Sequence, residues 1–305
     1  MRVMVLMGGT SYERDVSLTS GKACFAALSK IGYEVTPYDF KGDVSALVTI
    51  LLQEKIEVVF NALHGTDGED GAMQGLLELL KIPYTHSGIL ASALAMNKIS
   101  AKHALAQAGI PVAQDKLVNR KDLETNDPFP RPYVLKPTHE GSSVGISIIK
   151  QNDTLDYETI FDKGRLPYVM AEPFIPGREL TCAVMGDRAL SVTELLPKEG
   201  FYDYRAKYTP GCTDHKVPAS IPDALTTEIK RLSLLAHRIL GCNGVTRSDF
   251  RYNSALGVPH GLFMLELNTQ PGMTELSLVP EQAAYVGLSF TELVEWILNN
   301  ALCRA

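Results

Sequence analysis

The first third of the chain alternates strand-like runs with segments of helical period. Residues 2–7, 34–38 and 58–63 have the length and composition of short strands. A helix follows the polar segment TSYERDVS, and a second helix is predicted over residues 44–53. This βαβαβ order predicts a parallel sheet with helices on its faces. Ligands of such sheets bind at the carboxyl ends of the strands.

Polar and glycine-rich segments follow two of these strands, namely Gly8-Gly9-Thr10 and the segment HGTDGEDG that begins at His64. The GxGxxG turn of dinucleotide-binding folds is absent. Glu13 has two equally supported interpretations: it stabilises the amino end of the next helix, or it binds a substrate ammonium group. A single histidine such as His64 is more often a hydrogen-bonded core residue than a functional one.

Beyond residue 97 the pattern changes to short strands joined by tight turns. Asn97 and Lys98 mark a hinge, and Lys98 begins a helix over residues 98–108 that ends at Gly109 and Pro111. The predicted strands cover residues 133–136, 145–149, 168–175, 179–185 and 189–196. The chain therefore changes from an α/β to an α+β organisation after its first hundred residues.

Two segments of this middle region could contact a nucleotide. The loop THEGSSVG offers backbone N–H groups and hydroxyls to a phosphate, and Lys136 on the preceding strand could supply charge. It is not a Walker A loop, and GSSVG by itself is better explained as a flexible surface turn. Glu172 directly precedes Pro173, which prevents a strand from continuing as a central one. Glu172 and the backbone of Phe174 and Ile175 could then face a base or ribose.

Two later strands carry polar residues in pairs. Glu266 and Asn268 follow the apolar run 262–265, and Arg247 and Asp249 lie on the segment 244–252. Residues two apart on a strand point to the same face. If the two strands pair, two carboxylates, one amide and one guanidinium meet, a set that suits a Mg²⁺-bound polyphosphate. Either pair by itself is better explained as the polar end of a strand, but both together, followed by Gln270-Pro271-Gly272, predict a site.

The long polar segment 198–217, KEGFYDYRAKYTPGCTDHKV, is predicted to be irregular. Long irregular loops in compact domains are often lids or disordered, and four aromatic residues argue against disorder. Interleaved basic and aromatic residues could bind single-stranded nucleic acid, but a lid over a phosphate fits the acidic chain better.

Composition narrows the class of protein further. The 305 residues are 45% hydrophobic and 21% charged, with a net charge of −6, so two or three globular domains fit and a nucleic-acid or membrane partner does not. Five scattered cysteines form neither a disulfide framework nor a zinc motif. The amino-terminal apolar run is too short for a membrane span and lacks a cleavage pattern, which fits a cytoplasmic protein.

Taken in order, several motifs resemble the D-alanine–D-alanine ligase family of the ATP-grasp ligases, from Gly8 to the carboxyl end. The motifs are GGTSYERDVSL, ALHGTDGEDGAMQG, KPTHEGSSVG, FYDYRAKY, GVTRSDF and LELNTQPGMTELS. The resemblance implies an ATP-grasp fold: a Rossmann-like first domain (1–96), a central domain (97–176) and a catalytic domain (177–305) with a lid over 198–217. ATP is expected between the second and third domains.

The resemblance also implies roles for individual residues. Two Mg²⁺ (or Mn²⁺) ions are expected at Asp249, Glu266 and Asn268. ATP contacts are expected from Lys98, Lys136, Ser142, Ser143, Glu172, Phe174, Ile175, Glu179 and Lys207. The first D-alanine is expected at Glu13, with Ser142 and His64 nearby, and the second at Ser277 and Leu278. Arg247 and the Gly272 N–H are expected to bind an oxyanion, and Lys207 and Tyr208 to reach the γ-phosphate and the substrate site. Pro173-Phe174 departs from the basic residue often found after the glutamate, which weakens the expected adenine contact.

The expected reaction joins two D-alanine molecules through an acyl phosphate, for peptidoglycan precursor synthesis. Small molecules are the expected partners, and a homodimer is the family expectation. One alternative is the same chemistry with D-lactate or D-serine as acceptor, although the YRAKY segment resembles the dipeptide-forming ligases. Another is a non-catalytic nucleotide-binding regulator, which would be expected to lack a metal ligand or Arg247.

Overall fold

The protein is described by a computed structural model that covers residues 1–141, 144–198, 209, 211–274 and 277–303. Ser142, Ser143, Lys207 and Tyr208, to which the resemblance assigned roles, lie outside these residues. In chain order the strands are β1 (Arg2–Gly8), β2 (Glu34–Phe40), β3 (Val58–Asn61), β4 (Lys116–Val118), β5 (Tyr133–Lys136), β6 (Ser147–Ile149), β7 (Val169–Pro173), β8 (Arg178–Met185), β9 (Arg188–Pro197), β10 (Thr213–Lys216), β11 (Val245–Tyr252) and β12 (Leu262–Asn268). The α-helices are α1 (Arg14–Lys30), α2 (Val44–Gln53), α3 (Ala72–Leu80), α4 (Ile89–Met96), α5 (Lys98–Gln107), α6 (Arg120–Thr125), α7 (Tyr157–Ile160), α8 (Asp223–Ile239), α9 (Leu278–Tyr285) and α10 (Phe290–Asn299).

The first sheet is parallel, with strand order β2-β1-β3, as the βαβαβ pattern predicts. The central strand β1 is buried from Val3 to Gly8 because strands flank it and helices cover it. Ser17 of α1 ties the helix to the sheet: its hydroxyl accepts a hydrogen bond from the Gly8 N–H and donates one to the Ala62 carbonyl. The carboxyl ends of β1 and β3 are thereby held side by side.

The second sheet is antiparallel, with order β4-β7-β5-β6. The strand predicted over residues 168–175 is shorter in the structure, because β7 ends at Pro173. The strand itself lies in the interior of the sheet, between β4 and β5, because the proline occupies only its end.

The third sheet is antiparallel, with order β10-β9-β8-β11-β12. The paired segments of the sequence argument are neighbouring strands here: Asp249 lies opposite Glu266, and Arg247 lies opposite Asn268. The prediction that residues 198–217 are irregular is wrong for the carboxyl end of the segment, where β10 pairs with β9 as an edge strand. Its residues, TDHK, are all polar, so a hydrophobic pattern could not reveal it.

Two helical segments pack outside the part of the chain in which they occur. The carboxyl-terminal helices α9 and α10 share a core with β1 and β3, where Val294 and Ile297 pack with Val5 and Phe60. Leu105 of α5 belongs instead to the core beneath the third sheet. Among the described residues, no helix combines the length and apolarity needed to cross a membrane.

Candidate functional site

Two neighbouring cavities open between the sheets and share Glu266. The Glu13 cavity contains about 860 Å³ of empty space and the Lys136 cavity about 750 Å³, and both volumes include space open to solvent. Predicted site residues that line the Glu13 cavity are Glu13, His64, Lys98, Arg247, Glu266, Asn268, Gly272, Ser277 and Leu278. Those that line the Lys136 cavity are Lys136, Glu172, Phe174, Ile175, Glu179, Asp249 and Glu266. All predicted site residues within the described part of the chain therefore lie at one of two adjoining cavities.

The β11–β12 ladder forms the wall between the cavities. Residues directly opposite on antiparallel strands project to the same face, so Asp249 and Glu266 lie side by side. Arg247 donates from Nε to Asp249 Oδ1 (2.9 Å) and from Nη2 to Oδ2 (2.8 Å). Thr181 Oγ1 donates to the same Oδ1 at 2.7 Å. Asp249 is thus fixed in orientation, and each carboxylate oxygen can accept more than one bond.

The donor set on this wall fits a hard divalent cation. Asp249, Glu266 and Asn268 offer two carboxylates and one amide oxygen, and oxygen ligands are those that Mg²⁺ prefers. Among the described residues, no group of three or more His, Cys, Asp or Glu side chains is placed to hold a metal. A cation here would need further oxygen ligands, and a polyphosphate bound between the cavities would supply them.

Helix α5 delivers a lysine to the same wall. Asn97 caps this helix by accepting a hydrogen bond from the Ser100 N–H, which fixes where the helix begins. Lys98, its first residue, is buried and places Nζ 3.7 Å from Glu266 Oε2. The same ammonium donates to the Glu140 carbonyl. Lys98 therefore links the first turn of α5, the segment after β5 and the end of β12.

Glu13 occupies a space that glycines leave open. A Cβ atom added to Gly141 would lie 2.7 Å from Glu13 Oε2, and one added to Gly65 would lie 2.9 Å from it. Ser11 positions the loop by donating to the His64 carbonyl (2.6 Å) and accepting from the Glu13 N–H (3.2 Å). Glu13 is the N-cap residue of α1, but its side chain makes no capping hydrogen bond and is buried at the Glu13 cavity. This placement favours the ligand-binding interpretation of Glu13 over stabilisation of the helix end.

His64 and Glu69 are both buried at the Glu13 cavity. Glu69 was not among the site residues predicted from the sequence. Burial and the nearby Arg247 lower the pKa of His64 to about 4, so its imidazole is neutral at pH 7. Burial and the charge of Glu13 raise the pKa of Glu69 well above its usual value. Its Oε1 accepts from the Gly65 N–H (3.1 Å), whereas its Oε2 is buried with no hydrogen-bond partner among the described residues. HGTDGEDG contains three acids, and nothing local distinguishes the buried one.

The turn after β12 brings backbone donors to the Glu13 cavity. Gly272 lines the cavity next to Ser277, whose hydroxyl accepts from the Thr274 N–H at 2.9 Å. Ser277 occupies the N-cap position of α9 without a capping hydrogen bond from its side chain, and Leu278 is the first residue of that helix. A helix amino end attracts anions. The arrangement suits a small carboxylate near Ser277 and an oxyanion near Gly272.

The Lys136 cavity differs in part from expectation. Both oxygens of Glu172 are bound by lysines: Oε1 by Lys136 Nζ (2.5 Å) and Oε2 by Lys102 Nζ (2.8 Å). Its carboxylate is therefore engaged in two ion pairs, one of them with a lysine of the distant helix α5, and it lines the cavity. The Phe174 N–H donates to the Pro132 carbonyl (3.2 Å). Arg251 binds Glu179 (3.1 Å) and the Ile175 carbonyl (3.1 Å) and lies over the Phe174 ring.

Comparisons with known proteins agree with this geometry. Residues 104–299 match the model of the D-ala D-ala ligase C-terminus, and residues 43–87 match that of the D-ala D-ala ligase N-terminus. A D-alanine–D-alanine ligase of Paramagnetospirillum magneticum is 53% identical over 99% of both chains.

Two solved structures superpose along nearly the whole chain. The D-alanine–D-alanine ligase of Bacillus anthracis complexed with ATP has a TM-score of 0.81 at 30% identity and covers 98% of this chain and 96% of its own. The VanG D-Ala:D-Ser ligase of Enterococcus faecalis has a TM-score of 0.79 at 28% identity and covers 98% of both chains. The fold is that of the ATP-grasp ligases. The chain belongs to the D-alanine–D-alanine ligase family.

Proposed function

We propose that this protein joins two D-alanine molecules into D-alanyl-D-alanine with the conversion of ATP to ADP and phosphate, a step in peptidoglycan precursor synthesis. In the first step a carboxylate oxygen of one D-alanine attacks the γ-phosphorus, which yields D-alanyl phosphate and ADP. In the second step the amine of the other D-alanine attacks the acyl carbon, and phosphate leaves.

The position of Glu266 carries this proposal. Glu266 lies at the boundary of both cavities, opposite Asp249 and within 3.7 Å of Lys98. A nucleotide in the Lys136 cavity and a carboxylate in the Glu13 cavity would meet at this residue. Phosphoryl transfer demands chiefly positioning and charge neutralisation, and the two cavities supply both.

In the phosphoryl step, Lys136 and Lys98 supply positive charge to the phosphates. We propose that Asp249, Glu266 and Asn268 hold two Mg²⁺ (or Mn²⁺) ions. When bound, these ions would neutralise the charge on the transferring phosphoryl group. Lys207, with the Ser142–Ser143 loop, is proposed to close over ATP and keep water from the acyl phosphate.

In the acyl step, Glu13 holds the ammonium group of the first D-alanine, and His64 lines the same end of the cavity. Ser277 and the amino end of α9 bind the carboxylate of the second. Arg247 and the Gly272 N–H stabilise the oxyanion of the tetrahedral intermediate, as donors in a shielded site do. Tyr208 is proposed to complete the substrate site from the lid.

The test measures phosphate release from ATP by the full chain in the presence of Mg²⁺. D-alanine, L-alanine, D-serine and D-lactate are each added alone, and D-alanine is also combined with D-serine and with D-lactate. The proposal expects release that depends on D-alanine, with D-alanyl-D-alanine identified by mass spectrometry. Absence of D-alanine-dependent release would favour the regulator interpretation instead.

The acceptor has one specific alternative, because the chain is also similar to a D-Ala:D-Ser ligase. The lid residues that favour D-alanine in the sequence argument lie outside the described residues. A mixed product in excess over the D-alanine dipeptide would establish D-serine as the acceptor.

The remaining organisation is part of the same proposal. We propose domain boundaries at 1–96, 97–176 and 177–305, a homodimer, and a cytoplasmic location. The separate sheets support the three domains, although α5, α9 and α10 share cores across those boundaries.

A further inference from the structure

A cluster of four charges lies at the wall of the Lys136 cavity, with Lys102, Lys136 and Glu172 buried and Asp115 partly exposed. Lys102 is 2% exposed, and its ammonium binds Glu172 at 2.8 Å and lies 3.7 Å from Asp115 Oδ1. Glu172 is 4% exposed and binds Lys136 through its other oxygen at 2.5 Å. The cluster is electrically balanced, with two cations and two anions. The proposed reaction assigns a role to Lys136 but none to Lys102.

Lys102 is one helical turn beyond Lys98 on α5, so the two side chains share a face of the helix. Lys98 lines the Glu13 cavity, whereas Lys102 lines neither that cavity nor the Lys136 cavity. Lys102 is therefore not placed to contact a nucleotide through either of these two cavities. Any effect of Lys102 on ligands must pass through the groups it touches.

The group that it touches is the one that binds Lys136. Burial tends to raise the pKa of Glu172, but the two lysines outweigh burial and lower that pKa below its usual value. The carboxylate is therefore charged and needs a cation, because an unpaired buried charge is costly. With Lys102 removed, Lys136 would be the only lysine of the described part of the chain bound to Glu172, and its ammonium would be committed to that carboxylate.

We propose that Lys102 is a positioning residue that neutralises Glu172 and so leaves the charge of Lys136 available to the phosphates of a nucleotide. The inference rests on the proposed function, since it takes the Lys136 cavity as the nucleotide site. It gives Glu172 a part in the control of Lys136.

The test compares ADP with adenosine, which share the base and ribose and differ in the phosphates. Lys102→Met removes the charge and keeps an unbranched apolar side chain. We expect ADP affinity to fall about 10- to 100-fold, the effect of weakening one charge-assisted hydrogen bond. Adenosine affinity should change less than about threefold. Calorimetry measures ADP, and ligand-observed NMR measures adenosine.

A second variant separates charge balance from simple disruption. In Lys102→Met/Glu172→Gln the carboxylate that binds Lys136 is gone, so we expect ADP affinity to recover about fivefold or more relative to Lys102→Met. Lys116→Met is the matched control, because Lys116 lies on β4 of the same sheet and is exposed. It should bind ADP and adenosine like wild type.

Three results would overturn the inference. They are equal loss of ADP and adenosine binding in Lys102→Met, unchanged ADP binding in that variant, and failure of the double variant to recover ADP. If Lys102→Met does not fold, as thermal melting would show, Lys102→Gln, which also removes the charge, replaces it in the same ADP and adenosine comparison. Failure of wild type to bind ATP or ADP would instead contradict the proposed function.

Discussion

Replacement of Arg247 tests the chemistry of the second step most directly. Arg247→Met removes the guanidinium and keeps an apolar side chain of similar reach. Its side chain is only 11% exposed, so its donors act in a shielded site where they are worth more than in water. Loss of one donor aimed at an oxyanion costs roughly 10²–10³ in kcat, or about 2.7–4 kcal/mol.

The structure predicts that the same substitution does not weaken ATP binding. Arg247 also makes two hydrogen bonds to Asp249, at 2.9 and 2.8 Å. Without the guanidinium the negative charge of Asp249 is no longer neutralised, and Glu266, beside it on the wall between the cavities, is also an acid. The affinity of that wall for Mg²⁺, and hence for the metal-bound nucleotide, should therefore stay the same or increase. The expected signature is a large fall in kcat with an unchanged or lower KM for ATP.

Steady-state kinetics measures both parameters, with calorimetric ATP titration as an independent check. Arg231→Met is the matched control: Arg231 is exposed on α8, where it pairs with Glu228, and the variant loses the same charge. Its kinetics should equal those of wild type. A kcat within tenfold of wild type for Arg247→Met, or ATP affinity that falls in parallel with kcat, would refute the reasoning.

Three further predictions concern single residues. In Gly141→Ala the new methyl group would displace Glu13, so the KM for the first D-alanine should rise by about tenfold while the KM for ATP changes little. Initial rates measured with each substrate varied give both constants, and a parallel rise in the two would contradict this prediction. Asp249→Asn keeps the side-chain size but removes one anionic ligand, so half-maximal activity should require roughly tenfold or more Mg²⁺, and an unaltered requirement would exclude Asp249 as a ligand. Burial and nearby His64 lower the pKa of His86 to about 3 in the folded protein. Below pH 6.5 the unfolded chain therefore binds a proton that the folded chain does not, and the free energy of unfolding decreases as the pH falls. His86→Asn suits the left-handed backbone there (φ 72°) and should reduce the loss of unfolding free energy between pH 7 and 5.5 by about 1.2 kcal/mol in urea titrations; an unchanged loss would show that His86 is not the group responsible.

Part of the site could be predicted because its signal is local. Glu266 and Asn268 are two apart on a strand, as are Arg247 and Asp249, and the period of a strand puts each pair on one face whatever surrounds it. That the two strands pair was a hypothesis from the sequence, and the register confirms it. The parallel first sheet was predicted on the same ground, from strand-like runs that alternate with helices.

Other parts depend on contacts between distant residues. Glu172 was expected at the base of a nucleotide, and the ion pair of its carboxylate with Lys102, 70 residues away, could not be predicted from the sequence. The buried Glu69 stands in a loop with two other acids, and only the packing of that loop against Glu13 and Arg247 distinguishes it. Strand β10 carries no apolar pattern and forms because the edge of β9 is there to pair with it.

The amino-acid sequence by itself determined the repeating units of this protein, the faces of its strands and the family to which its motifs belong. The tertiary structure decided which charged groups are buried together and which partner neutralises each one. The physical reason is that side-chain periodicity is a property of a few consecutive residues. Burial, and with it the strength of an electrostatic interaction, is set by everything that packs around a group.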